Sequence, residues 1–321
     1  MLDYKPHACS CTRTKGPDLA TASEAIVRTS EPPRLQPASR LRELFQAREI
    51  LSNLVRKDIK VKYKSSVLGA AWSMLNPILY LAVFTLVFTK VLKNQIPDFA
   101  IYLLSGLLAW NLFGTSLSFA TRSVVDNGNL VNKVYFPREV LPLSSMGIPI
   151  VDFTFQAVVL AAFMVILRHS FWGVSLLLLP LALSALLAFT ASLVLFVSAI
   201  NVRYRDTQHL VTVALLMWFW LTPVVYPSGF LVRGEVAGNH LFGISFYHLL
   251  LANPMTDIVI GFQRALYGVV MPTGTDHPIL LPVSLPWLVG VLTLVLVGSL
   301  GLLMLAWRGF FHRSGDFAEE L

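Results

Sequence analysis

Charged residues are scarce in this chain, which excludes an ordinary soluble protein. Only 13% of the 321 residues are charged and 55% are hydrophobic, whereas soluble domains carry roughly 25% charged residues. The formal charge of +7 does not indicate nucleic-acid binding, because no Lys/Arg stripe alternates with aromatic residues beyond the N-terminal fifth. The composition predicts a polytopic membrane protein whose basic residues set its orientation.

The motifs of nucleotide, metal and hydrolytic sites are also missing. The sequence has no G-x-x-x-x-G-K-[ST] phosphate loop, no H-E-x-x-H and no G-x-S-x-G, so it lacks the usual local marks of such chemistry. Its two cysteines, Cys9 and Cys11, have no matching Cys/His pair and favour free thiols over a metal site or a disulfide. We therefore predict no catalytic residue, no metal and no cofactor in this chain.

The first 40 residues lack apolar periodicity and contain five prolines, a composition typical of a disordered tail. No early apolar segment resembles a signal peptide, so the first span is expected to direct insertion.

Residues 41–71 are predicted to form an amphipathic helix beside the membrane. Apolar residues recur at helical spacing from Leu41 to Ile59, with basic residues elsewhere around the wheel. Arg48 lies near the middle of the apolar face, so the helix should break there or let the arginine reach the headgroups. An ordinary surface helix is the alternative, but basic residues next to a span favour an interfacial position.

Six apolar windows have the length of about 20 residues that crosses the bilayer. They are 72–92, 100–121, 141–167, 174–200, 208–226 and 286–307. With the N-terminus inside, twenty Lys/Arg fall on the inner side and five on the outer side, which predicts that both termini are cytoplasmic.

Asp152 is a carboxylate within the third predicted span. Such a group costs about 2.5 to 3.5 kcal/mol at the centre of a span, so it should face protein or water and have a partner. Two roles stay open for it, a structural interhelical hydrogen bond and a place in a transport path.

The segment 227–285, here called the outer segment, is too long for a simple loop and too apolar for a free domain. Its apolar pieces are shorter than a span and contain charges, which favours short amphipathic helices that dip into the outer leaflet. A gate at the outer mouth and a peripheral lid without a role are the alternatives.

A polar, basic stretch, DNGNLVNKVYFPREVLPLS at residues 126–144, separates two apolar runs. We call it the island. In a membrane protein, such a break at this position suits contact with a soluble partner.

Five motifs give the chain a resemblance to a known family. The motifs are DIKVKYKSSVLGAAWSMLNP (58–77), NLVNKVYFPREVLPLS (129–144), NVRYRD (201–206), LTPVVYP (221–227) and NPMTDIVIGFQRALYG (253–268). With them the chain resembles the membrane subunit of ABC-2 type exporters, in the branch that exports O-antigen, capsule or teichoic acid, over about residues 41–321. The N-terminal extension lies outside this pattern, and Gln263 and Ala265 are positions where relatives vary.

The resemblance implies an all-α fold with six spans, an amphipathic gate helix at 41–71, a coupling helix at about 126–140 and gate helices in the outer segment. It implies a bacterial inner-membrane protein that works as a homodimer with two copies of a separate ATPase, which binds ATP and Mg²⁺. The chain has no internal repeat, so a second copy would be needed to enclose a pore. Coupling to the ATPase is expected at Asn129, Lys133, Tyr135, Phe136, Pro137, Arg138 and Glu139. The outer gate is expected at Tyr226, Asn253, Pro254 and Arg264.

Transport of a lipid-linked glycan requires a protein-lined path, because its hydroxyls are costly to place in hydrocarbon. Aromatic rings provide flat faces for sugars, although lipid-facing packing is an equal alternative for them. The candidates are Tyr80, Phe84, Trp110, Phe113, Trp218, Phe219 and Trp220. Lysines at the inner entrance are expected to attract the lipid phosphate or, alternatively, anionic membrane lipid; these are Lys57, Lys60, Lys62 and Lys64.

The sequence therefore predicts the permease of an ATP-driven exporter of a surface polysaccharide. Two alternatives remain open at this point. One is an ABC-2 type exporter of a small molecule, a drug or a lipid, and the other is a membrane scaffold or channel that moves no polymer.

Overall fold

Helices make up nearly all of the chain that the computed structural model describes. The described residues are 37–64, 71–91, 96–134, 136–169, 173–229, 240–241, 244–268, 278–315 and 317–320. All of them belong to one compact unit, Leu35–Leu321. Most of the expected tail, residues 1–36, lies outside the described residues.

Thirteen α-helices occur in the described residues. They are α1 (Pro37–Gln46), α2 (Arg48–Tyr63), α3 (Ala71–Thr85), α4 (Phe99–Asp126), α5 (Gly128–Lys133), α6 (Val140–Ser144), α7 (Gly147–Ile166), α8 (Leu178–Arg203), α9 (Thr207–Leu221), α10 (Phe246–Leu251), α11 (Pro254–Leu266), α12 (Leu285–Ser314) and α13 (Phe317–Glu320).

Three shorter elements complete the path. A π-helical segment, Leu86–Val91, continues α3, and a 3₁₀ turn, Val174–Leu177, leads into α8. Two strands of two residues each, β1 (His240–Leu241) and β2 (Ile244–Ser245), pair antiparallel in the outer segment.

Four helical segments of the described chain are long and apolar enough to cross a membrane: Phe99–Asp126, Val140–Ile166, Val174–Arg203 and Leu285–Ser314. Two shorter apolar helices, Pro77–Phe88 and Thr207–Leu221, lie where the first and fifth spans were predicted. The prediction of an all-helical, multi-pass membrane protein is confirmed at this level.

Helix α4 lies at the centre of the helical bundle. Within its apolar window, 83% of the residues are buried, because α7, α8, α9 and α11 all pack against it. Helix α12 packs along α8 instead, and only 22% of its window is buried. The remaining surface of α12 is apolar and exposed, as expected for a helix that faces lipid.

A second apolar cluster lies at one end of the bundle, which we call the basic end because α2, α5 and the end of α12 bring their lysines and arginines there. The cluster joins Leu54 of α2, Phe136 and Val140 of the island, and Trp307 and Phe310 of α12. It ties the island and α2 to the ends of the long helices.

The amphipathic segment is distorted between α1 and α2, at Ala47, whose ψ is 5°. The i to i−4 pattern still spans this residue, because the Ala47 amide donates to the Glu43 carbonyl at 2.9 Å and the Leu51 amide to the Ala47 carbonyl at 3.0 Å. The distortion lies directly before Arg48, which is exposed, at the place where a break was one of the two expected outcomes. Helix α2 then packs against α6 and α7. The contact is close at Gly147, where an added Cβ would lie 2.6 Å from both γ carbons of Val55.

Replacing Gly147 by leucine is expected to displace α2 from α7. Valine has a stiff side chain that cannot move aside, and overpacking of this kind costs about 1–3 kcal/mol. The thermal unfolding midpoint of the purified protein should fall, and a protease site placed in α2 should become more accessible. Gly298→Leu is the matched control, because an added Cβ at Gly298 meets nothing within 4 Å. Equal effects of the two substitutions would contradict the contact.

Candidate functional site

An open groove between α3, α4 and α9 brings together part of the predicted aromatic set. Its volume is about 440 Å³. Tyr80 and Phe84 line it from α3, Trp110 from α4 and Phe219 from α9. The rings lie side by side, with centroids 6.4 Å apart for Tyr80 and Phe84 and 5.4 Å apart for Trp110 and Phe219. We call this the aromatic groove.

Polar groups of α4 supply hydrogen-bonding capacity along the same groove. Asn111, Thr115 and Ser118 line it at successive turns, which is the spacing of one helix face. The Asn111 amide donates to the Gln156 side-chain oxygen of α7 at 2.8 Å, so its orientation is fixed. A wall with aromatic faces and a few polar groups is suited to sugar rings, which carry apolar faces and hydroxyl edges.

The other aromatic candidates lie elsewhere. Phe113 is fully buried and packs against Phe189 and Trp218 at centroid distances of 5.7 and 5.2 Å. The Trp218 indole donates to the Asn253 side chain at 2.8 Å. Trp220 is 59% exposed and does not line the groove. These three rings serve packing or face the surroundings of this chain, which is the alternative that the sequence left open.

The four entrance lysines divide into two kinds. Lys57 donates to the Asn127 side chain at 3.3 Å and pairs with Asp58 at 3.4 Å. Lys62 contacts both carboxylate oxygens of Asp152, at 2.6 and 2.7 Å. All four lysines are exposed. Lys60 and Lys64 are available to an anionic headgroup, whereas Lys57 and Lys62 also contact other residues of the protein.

The Lys62 contact identifies a partner for the carboxylate of the third predicted span. Asp152 lies about one turn inside α7, and its side chain is 19% exposed against 31% for Lys62. The Tyr63 hydroxyl lies 3.4 Å from the same carboxylate. An ammonium at this distance stabilises the charged carboxylate near the membrane, so the ion pair fastens α2 to the bundle.

The exposed part of the island is α5 and its flanks. Asn129 and Lys133 are exposed, and Pro137 and Arg138 are half-buried, whereas Tyr135 lies outside the described residues. Helix α5 follows α4 after a single residue, Asn127, whose amide donates to the Ser123 carbonyl at 2.8 Å. Helix α5 is thus joined to the central helix without an intervening loop.

Two island residues face the interior. Phe136 is 7% exposed and belongs to the apolar cluster at the basic end. Glu139 is 3% exposed, and the Trp307 indole donates to its carboxylate at 3.3 Å. In this structure neither side chain is available to a soluble partner, and together they fasten the island to α12.

The outer segment is held to α9 by the cap of α11. Asn253 is the N-cap residue, and its side-chain oxygen accepts from the Met255 amide at 3.1 Å. Its amide nitrogen donates to the Thr222 hydroxyl at 3.2 Å. Pro254 occupies the first helical turn, where its missing N–H is harmless. Burial lowers the pKa of Arg264 in the last turn, and Arg264 is half-buried.

No role was predicted from the sequence for two buried polar residues of α11. Gln263 is fully buried, and its amide donates to the Pro223 carbonyl at 3.1 Å. Asp257 is 4% exposed, and burial raises its pKa to about 7. Both occur among apolar residues of an amphipathic helix, a signal that was visible but does not by itself distinguish a packed face from a water-lined one.

A cluster of hydrogen-bonded polar groups lies around the start of α4. The ring nitrogens of His169 lie 2.9 Å from an Asp98 carboxylate oxygen and 2.9 Å from the Tyr267 carbonyl. The Tyr267 hydroxyl donates to the Pro97 carbonyl at 2.8 Å, and Tyr102 donates to the Tyr226 carbonyl at 2.6 Å. Three separate segments thus share hydrogen bonds around the start of α4.

Known proteins match most of this chain. A model of the family described as ABC-2 type transporter matches residues 50–235. This range includes α2 from its third residue, the aromatic groove and the island.

Curated relatives cover more of the chain. The O-antigen export system permease protein RfbA of Myxococcus xanthus is 34% identical over 233 residues, which are 72% of this chain and 85% of that protein. A protein of the same name from Klebsiella pneumoniae is 27% identical over 228 residues, or 70% of this chain and 82% of that protein.

Proposed function

The chain belongs to the ABC-2 type transporter family, and on that premise we propose that it is the permease subunit that carries a lipid-linked O-antigen-like polysaccharide across the bacterial inner membrane. The names of its relatives support this cargo. The single observation that carries the proposal is the aromatic groove, because it offers ring faces and hydroxyl partners along one wall.

A second copy of the chain completes the path in this proposal. The groove is open rather than enclosed, and its flanking helices expose large apolar side chains, among them Val83 of α3, Leu86 of the π-helical segment that continues α3, and Val213 of α9. Two such faces placed together would enclose the groove between protein walls, with the apolar side chains of the two copies packed against each other. The proposal also takes α3 and α9 as spans, which gives six in total.

Two copies of a separate ATPase drive the cycle in this proposal, and they bind the ATP and Mg²⁺. The exposed residues Asn129 and Lys133 make the contact, and α5 passes the motion to α4. Helix α2 lies at the inner entrance, where Lys60 and Lys64 attract the phosphate of the lipid carrier. Asn253 and Arg264 belong to the segment that gates the outer mouth.

Replacing Tyr80 by leucine is expected to impair export while leaving the protein inserted. The ring is 55% exposed in the groove, so its loss should affect the cargo more than the fold. An aromatic stacking contact is worth about 0.5–1.5 kcal/mol, which corresponds to a reduction of about two- to tenfold in transport. Surface polysaccharide and intracellular lipid-linked glycan should be measured together, with the second rising as the first falls.

Trp220→Leu is the matched control for Tyr80→Leu. Trp220 is similarly exposed, at 59%, but lies outside the groove. Equal losses in the two variants would contradict a cargo-binding groove. Normal glycan levels in cells depleted of the whole protein would refute the proposed cargo and favour a small-molecule exporter.

Cysteines introduced at Lys133 and His240 are expected to be labelled from opposite sides of the membrane. The reason is that six spans place the island inside and the outer segment outside. Labelling with a membrane-impermeant maleimide, in a background that carries Cys9→Ser and Cys11→Ser, measures the sidedness. Labelling of both positions from one side would contradict the six-span arrangement.

A further inference from the structure

A narrow groove runs between α8 and α12 at the basic end, away from the aromatic groove. Its volume is about 280 Å³. Small side chains form its floor: Ser192 and Ala199 on α8, and Ala306 and Gly309 on α12. Bulky side chains form its walls, and two of them, Phe196 and Leu305, are 49% and 69% exposed. The groove is therefore an apolar slot on the outer face of two membrane helices.

The slot has the length of one leaflet. On α12 it extends from Leu302 to Arg313, which is about 16 Å along a helix. Half of the hydrocarbon core is about 15 Å. One end of the slot lies among the apolar side chains of α8 and α12, and the other end lies at Arg313, where the helix leaves its apolar stretch.

Arg313 closes the slot at the level expected for headgroups. A guanidinium nitrogen lies 3.7 Å from the position that a Cβ on Gly309 would take, so the side chain folds back over the floor. Arg313 is exposed, and within the part of the chain that the structure describes no carboxylate forms an ion pair with it. An exposed guanidinium beside an apolar slot matches a ligand that has a phosphate and an acyl chain.

We propose that this slot binds an anionic phospholipid of the leaflet at the basic end, with an acyl chain between α8 and α12 and its phosphate at Arg313. Length and charge together favour a phospholipid over a second copy of the chain. The slot is as long as one leaflet, which suits an acyl chain, and the exposed guanidinium at its end suits a phosphate. The site is separate from the aromatic groove and does not depend on which cargo the protein carries.

Lipid retention measured by native mass spectrometry tests the proposal. The full chain, purified in detergent, is mixed with equal amounts of phosphatidylglycerol and phosphatidylcholine. Wild-type protein should retain phosphatidylglycerol preferentially. Both lipids carry a phosphate, but the choline of phosphatidylcholine cancels its charge, so the preference measures the attraction of Arg313 for net negative charge. Arg313→Gln should reduce this preference about fivefold, the contribution expected of one basic residue near an anionic lipid.

Arg308→Gln is the matched control, because Arg308 is also exposed at the same helix end but lies about 140° around the helix from Arg313. Equal losses in both arginine variants would show that general surface charge attracts the lipid and would overturn the proposal.

A second variant tests the acyl-chain part of the slot. Gly309→Leu fills its floor and should reduce retention of both lipids. The Cβ has only an ordinary contact at 3.7 Å and leucine is the stronger helix former, so the fold should persist. Gly301→Leu is the control, with nothing within 4 Å. Equal retention in the two variants would overturn the proposal. A disulfide between two copies that carry Leu305→Cys, in a background of Cys9→Ser and Cys11→Ser, would also overturn it by placing a second copy there.

Discussion

Replacing Lys62 by methionine is expected to loosen α2 and to stop export. The substitution removes the ammonium that lies 2.6 and 2.7 Å from the two oxygens of Asp152. The carboxylate near the membrane then loses this cation. A charged carboxylate costs about 2.5 to 3.5 kcal/mol at the centre of a span. Since Asp152 lies near the start of α7 and is 19% exposed, about 1–3 kcal/mol is the expected loss.

Changing the other member of the ion pair should destabilise the protein less. Asp152→Asn removes the costly charge and leaves an amide oxygen that still accepts a hydrogen bond from Lys62. The Lys62 side chain is 31% exposed, so its ammonium can also be hydrated. We therefore expect a smaller fall in the thermal unfolding midpoint for Asp152→Asn than for Lys62→Met, and partial rather than complete loss of export.

Lys60→Met controls for the loss of one positive charge on α2. Lys60 is exposed, so its loss should leave the unfolding midpoint unchanged. The double exchange Lys62→Asp with Asp152→Lys should restore part of the stability, because it reverses the pair without removing it. If Lys62→Met were as stable as Lys60→Met, the ion pair would not hold α2.

Much of the helical framework was predictable from the sequence because apolar runs of membrane length leave few alternatives. Backbone groups in hydrocarbon must bond within their own segment, so a long apolar run forms a helix. The distortion before Arg48 lies where a break was one of two expected outcomes, because a charged residue on an apolar face is costly. The Asn253–Pro254 pair has the chemistry of an N-terminal cap and marks the start of α11, although only short helices without bounds were predicted for the outer segment.

The partners of polar residues were harder to predict, since they depend on which helix faces meet. The sequence indicated that Asp152 needed a partner, but Lys62 is ninety residues away. The groove rings and the packing rings were equally aromatic, and only the positions of α3 and α9 separated Tyr80 from Phe113. The lengths of the helices were also uncertain, because α3 and α9 are shorter than the apolar windows from which the first and fifth spans were predicted.

The island shows a similar difficulty. Its polar composition predicted contact with a soluble partner, and the family resemblance implied that Arg138 and Glu139 take part in it. Glu139 is instead buried, at 3% exposure. A turn that is polar in sequence can still direct one carboxylate inward when a tryptophan from a distant helix provides a donor.

Replacing Glu139 by lysine is expected to prevent stable folding, which is a larger effect than that expected of Lys62→Met. The substitution places an ammonium in the apolar cluster formed by Val140, Phe310 and their neighbours, where the Trp307 indole now donates to the carboxylate at 3.3 Å. An uncompensated buried charge costs about 3–5 kcal/mol, a large part of the stability of a typical protein. Protein abundance in the membrane and its resistance to protease should both fall sharply.

Two companion variants separate folding from coupling. Glu139→Gln keeps the size of the side chain and an oxygen that accepts from Trp307, so it should restore abundance. Lys133→Glu reverses a charge that is exposed at the end of α5, so this variant should insert normally and lose export while ATP hydrolysis by the partner continues. Normal abundance of Glu139→Lys would mean that this residue faces solvent and belongs, after all, to the surface that contacts the ATPase. A fall in abundance for Glu139→Lys would assign Glu139 to holding the island in place, and loss of export by a normally abundant Lys133→Glu would assign Lys133 to transmitting the motion.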